Sequence, residues 1–182
     1  HPTISAPNYG WDMSHLKEYS GFAEHDDGYK QYYQAYIDGG EAAYLEKNGI
    51  KGMQLAGPIS SFYLQPQSAG LMEHKQNIIL YSPRRDTKVA PALMTHFPEY
   101  KFVPLSGLSE DGLRNIYRSS KLYIDFGNHP GKERMPREAA ACGCCVITGL
   151  LGSAANDVDV PIPSRFKLDV NDPRFFEKFK SV

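Results

Sequence analysis

Cysteine is scarce in this chain of 182 residues: there are three, all within the run CGCC at 142–145. They are too few and too close together for a disulfide framework, so a reducing compartment is expected. No apolar run approaches the roughly 20 residues needed to span a bilayer. Net charge is nearly absent, 20 Lys+Arg against 21 Asp+Glu. That excludes the dense basic face of a nucleic-acid tract. Internal repeats and low-complexity stretches are missing as well. The opening HPTISAPNYGWDMSHL lacks a charged-then-apolar leader pattern and begins with His rather than Met, so a fragment or processed product is expected.

What remains is globular in composition, with 41% hydrophobic residues, 12 Tyr and 9 Phe, which excludes disorder and collagen-like structure. The length fits one domain of about 100–150 residues plus a fragment. Charge is split along the chain. Residues 1–76 carry 5 Lys+Arg against 9 Asp+Glu, a net of −4, and residues 77–182 carry 15 against 12, a net of +3. The second part therefore suits a small anionic ligand held by a few chosen residues.

Tyr29, Tyr33, Tyr36 and Ile37 repeat at three-to-four-residue spacing and predict a helix from Asp27 to the Gly39–Gly40 break. The tyrosine stripe reads as a core-facing helix side rather than a sugar-stacking platform. EAAYLEKNG predicts a second helix, capped by Asn48–Gly49, and Met53–Ala56 a short strand. A Pro/Ser/Gln-rich connection then runs to about Gly70. The division expected is 1–65 as the remnant of a preceding domain and linker, and 70–182 as a separate domain.

From residue 77 the pattern is regular. Strands are predicted at 77–82, 101–105, 121–127, 144–148 and 165–169, and helices at 88–97, 109–119, 136–143 and from Pro173 onward. Alternating strands and helices predict an α/β fold, a Rossmann-like parallel sheet with helices on both faces. Such sheets bind ligands outside the carboxyl ends of their strands. Two loops there carry basic residues, PRRDT at 83–87 and GNHPGKERM at 127–135.

In the second loop Gly127 and Gly131 permit close backbone approach to a ligand. The helix placed at Pro136 offers free N–H groups and its dipole to a phosphate. Lys132, Arg134 and Arg137 add positive charge, and Glu138 can accept hydrogen bonds from two adjacent hydroxyls, as a ribose presents them. Arg84 and Arg85 would face that helix from the end of the first strand. His129 is a further candidate for a leaving phosphate or an acceptor proton, although a lone loop histidine is more often structural. Asp125, at a strand end, reads as a loop-ordering acceptor. Cys144 and Cys145 face opposite ways on a strand, so CGCC cannot form a metal site. An acidic cluster at the strand ends, as a response-regulator-like domain needs, is missing: the first strand runs into Tyr-Ser-Pro-Arg-Arg.

The run PREAAACGCCVI at 136–147 resembles the Pro-x-x-Glu-Ala-x-x-x-Gly stretch before a Val-Ile strand in GT-B fold glycosyltransferases. LSEDGLRNIYRSSKLYIDFG matches their helix–strand lead-in, and YIDFGNHPGKERMPREAA is similar to a bacterial subgroup associated with surface-polysaccharide synthesis. The resemblance covers about 77–170. It implies the donor-binding half of a GT-B fold, with a nucleoside diphosphate sugar as donor substrate and a saccharide or lipid-linked acceptor. Glu138 would hold the ribose, with Arg134, Arg137, His129, Gly131 and Pro136 around the nucleotide sugar. Arg84, Arg85 and Lys132 would stabilise leaving-group charge without metal or other cofactor. A cytoplasmic place is implied, at the inner face of the membrane if the missing part makes peripheral contact. Two positions depart from the family. Eight residues before Glu138 stands Pro130 rather than the acid of the commoner retaining pattern, and the usual Pro sits one position before Pro136. The alternative expectation is a non-catalytic nucleotide- or phosphate-binding module.

Overall fold

The computed structural model describes residues 59–65, 75–129 and 133–182. The predicted tyrosine helix, the EAAYLEKNG helix, the Met53–Ala56 strand, Gly131 and Lys132 lie outside the described residues.

Four strands, β1 (Gln76–Tyr81), β2 (Lys101–Pro104), β3 (Ser120–Asp125) and β4 (Cys145–Thr148), form one sheet in the order β2-β1-β3-β4. Every pairing is parallel. The fold is thus the α/β Rossmann-like arrangement expected from the alternating pattern. The helices are α1 (Ser61–Leu64), α2 (Val89–His96), α3 (Glu110–Ser119), α4 (Arg134–Ala141) and α5 (Phe175–Ser181).

The two-residue period of a strand sends neighbouring side chains to opposite faces. Ile78, Leu80, Tyr123 and Val146 join one core with Tyr117 of α3, Ala139 of α4 and Cys142 just after it. Ile79, Ile124 and Ile147 join the other with Ala90 and Leu93 of α2 and Phe175 and Phe179 of α5. Both sheet faces are therefore covered, and strands buried this way read as continuous apolar runs such as IIL and YI. Tyr63 of α1 lies in the first core, and Arg114 reaches back from α3 to stack on Phe62 and bond Gln65. The segment that reads as a connection thus carries a helical turn packed on this sheet. The buried Lys75 ammonium donates to the carbonyls of Tyr117, Ser120 and Cys142 at 2.8, 2.9 and 3.0 Å. It ties the ends of α3 and α4 to the start of β1.

Two local expectations change. Pro136 is not the first residue of its helix, because α4 starts at Arg134, after Glu133 in an extended conformation. Proline is tolerated anywhere in a first turn, whose N–H groups lack intrahelical partners. Glu138 consequently sits in the second turn. The predicted last strand shrinks to a 3₁₀ turn at Ser164–Phe166 and a single bridge between Thr148 and Lys167. The other end of α4 follows expectation: Gly143 has φ +79° and stops the helix. Cys144 is buried and Cys145 exposed, as opposite faces of a strand require.

Candidate functional site

In this strand order the sheet reverses direction of growth between β1 and β3, which makes the crevice outside their carboxyl ends the topological switch point. The described residues that meet there are 82–87 after β1 and 126–129 with Glu133 after β3, parts of the two basic loops of the sequence. Asp86 shapes the first: its Oδ1 accepts from the N–H groups of Val89 and Ala90 at 2.9 Å, fixing the start of α2. Burial pushes the Asp86 carboxyl up, against those backbone donors.

Asp125 ends β3 and organises the second loop. Its carboxylate, fully buried, accepts from Gly127 N at 3.1 Å and from the Tyr123 hydroxyl at 3.2 Å. Arg85 Nε lies 3.0 Å from Asp125 Oδ2, and His129 Nε2 lies 3.3 Å from Oδ1. Burial alone would raise this carboxyl, but His129, Arg85 and the Gly127 N–H outweigh it and hold Asp125 below the usual carboxylate range. The loop-ordering role expected of Asp125 is what the contacts show.

Arg85 spans the crevice. Besides Asp125 it donates from Nη2 to the Asn128 carbonyl at 3.0 Å, and Nη1 lies 3.0 Å from Glu133 Oε2. Gly127 is required by this closeness: a Cβ there would sit 2.8 Å from the Arg85 carbonyl oxygen. Its missing side chain serves loop-on-loop packing. His129 is completely buried, so its imidazole offers no surface to a substrate. Its backbone joins the β4 loop instead, with Ser153 N donating to His129 O at 2.8 Å and His129 N to Leu151 O at 3.3 Å.

Arg84 and Arg134 are exposed beside this knot, and Arg137 is half-buried. Glu138 is buried, with Oε1 3.8 Å from Arg134 Nε, and burial pushes its carboxyl up against the opposing charge of Arg134. Seven of the sequence candidates, Arg84, Arg85, His129, Arg134, Pro136, Arg137 and Glu138, thus lie on the two loops and the helix that follow β1 and β3. The sequence reading missed Glu133 as the partner of Arg85. The one signal for it is a single acidic residue, Glu133, within the otherwise basic run KER.

A groove of about 430 Å³ opens at the other end of the sheet, between Asn77, Lys121, Cys145 and Phe179. It lies at the amino ends of the strands, away from the switch point. Among the described residues no group of three His, Cys, Asp or Glu side chains is placed to hold a metal ion. No described helix is long and apolar enough to cross a membrane. No protein-family model matches this chain, and no curated protein matches it.

Proposed function

We propose that residues 70–182 bind a nucleoside diphosphate sugar at the switch point between β1 and β3, as the donor half of a GT-B glycosyltransferase. The observation that carries this reading is the convergence of both basic loops on Arg85 at the one crevice where parallel α/β sheets take ligands. Arg84, Arg85 and Lys132 would hold the diphosphate and stabilise the charge left on it as the sugar departs, and Arg134 and Arg137 would add to the field. Glu138 would accept from the ribose hydroxyls. The acceptor is a saccharide or a lipid-linked saccharide, and the second domain that such a reaction needs would supply its site. Transfer would take place in the cytoplasm, and at the inner face of the membrane where the acceptor is lipid-linked.

Guanidinium groups and a helix amino terminus do for the phosphates what a cation would do, so binding should need no metal. Calorimetry with UDP, GDP, ADP and dTDP in EDTA tests this. Binding without metal by at least one of them is expected. Binding that appears only with Mg²⁺ or Mn²⁺, or none at all, would sink the reading. Turnover of a nucleotide sugar separates the enzyme from a phosphate-binding module, which would bind and not transfer.

A further inference from the structure

Arg85 divides its donors between two kinds of partner. Nε and Nη2 bond to the Asp125 carboxylate and the Asn128 carbonyl, both on the loop that ends β3. Asp125 cannot leave: it is fully buried and also accepts from Tyr123 and Gly127. Nη1 is directed to a different segment, where it meets the Glu133 carboxylate at 3.0 Å. Glu133 stands at the N-cap position of α4, yet its side chain makes no capping bond to the helix. Both side chains of this pair keep about a fifth of their surface in solvent, 22% for Arg85 and 21% for Glu133.

We infer that Glu133 is an internal stand-in for the ligand, its carboxylate occupying on Arg85 the seat that a phosphoryl group takes when a diphosphate binds. This rests on the diphosphate reading above. A guanidinium N–H donates alike to a carboxylate oxygen or to a phosphoryl oxygen. The pair is partly hydrated, and partly hydrated ion pairs are weak and screened. A phosphoryl group brings a further oxygen and more charge, so it displaces the carboxylate where it could not displace Asp125. Glu133 keeps the Arg85 Nη1 donor paired while the site is empty, and lowers affinity by the competition. Asp125 and Asn128 hold the guanidinium still throughout, so binding exchanges one anion for another without rebuilding the loop.

The test is calorimetry of the full chain at low ionic strength, with inorganic pyrophosphate and UDP as probes. Glu133→Gln should bind pyrophosphate at least tenfold tighter than the native chain. Glu133→Asp keeps the charge but shortens the reach, so it should also bind tighter, and it serves if the Gln variant does not fold. Glu99→Gln makes the same change in net charge at the amino end of the sheet, before β2, and should gain less than threefold. A native chain that binds UDP, with Glu133→Gln no tighter or weaker, overturns this inference and leaves the diphosphate reading standing. An equal gain in Glu99→Gln overturns it too, since net charge alone would then account for the effect. A pyrophosphate gain with UDP bound by neither chain removes the nucleotide reading and keeps the competition at Arg85. Silence of both probes with all variants overturns both.

Discussion

Arg85 and Asp125 are 40 residues apart in the chain, and their side chains meet at 3.0 Å across the mouth of the sheet. The contact joins the loop after β1 to the loop after β3, which are neighbours only because the sheet places β3 beside β1. Removing the cation leaves a fully buried carboxylate with His129, Tyr123 and Gly127 as its remaining partners. Arg85→Ala should cost about 1.5–3 kcal/mol, the range for hydrogen bonds to charged groups. That falls short of the roughly 3–5 kcal/mol for breaking a fully buried pair, because the guanidinium keeps some solvent contact. Urea denaturation at pH 7 measures it, and a loss below about 0.5 kcal/mol would mean the bridge does not hold the loops.

The same contact sets an acid limb. Asp125 is depressed in the folded chain, so on acidification the unfolded chain takes up this proton first. Its contribution is complete above the ordinary Asp value of 3.8 and disappears as pH falls through the lower folded value. Arg85→Ala should flatten that limb.

Much of this fold is legible in the sequence because buried parallel strands are unbroken apolar runs, and NIILY and KLYID announce themselves. Ser109 and Gly143 mark the ends of α3 and α4 by local chemistry alone: the Ser109 hydroxyl accepts from Gly112 N at 3.1 Å. Pro136 misleads because a preference for one position is not a requirement for it. RFKLD alternates like an edge strand, but between Pro163 and the Asp169–Asn171 turn it keeps one bridge to β4. The Arg85–Glu133 pair is invisible locally, since it depends on two loops brought together by strand order. Buried Glu138 is legible as a residue type and not as an environment.

Gly152 shows how tightly the loops after β3 and β4 are joined. Its φ is +64°, and a Cβ would lie 2.1 Å from the His129 carbonyl oxygen and 2.7 Å from Asn128 Oδ1. Both atoms belong to the loop that carries Asp125 and approaches Arg85. Gly152→Ala should therefore cost about 1–3 kcal/mol, the range for a residue forced into a strained conformation. It should also expose the His129 N–H, which bonds Leu151 O, to faster hydrogen exchange. Unchanged exchange at His129, together with native stability, would mean that the two loops are not coupled through Gly152.

Glu138 separates a residue kept for a ligand from one kept for the fold, because the two roles predict opposite changes in one variant. Its side chain is buried, and Arg134 Nε lies 3.8 Å away on a largely exposed side chain. Burial raises its pKa, so the folded chain holds this proton more tightly than the unfolded chain. Stability must then fall as pH rises from the ordinary value of 4.5 through the raised folded value, and the deficit persists at pH 7. Glu138→Gln removes the ionisation and should raise Tm at pH 7, with the difference fading below about pH 4.5 as the native carboxyl becomes neutral. If the carboxylate holds a ribose, the variant should at the same time lose about 1–3 kcal/mol of affinity for UDP. Gln offers one acceptor oxygen where the carboxylate offers two, so the loss should be smaller for a 2′-deoxy diphosphate. Thermal melting and calorimetry on the one variant read both quantities. A lower Tm with unchanged UDP affinity would make Glu138 a helix residue and remove it from the site.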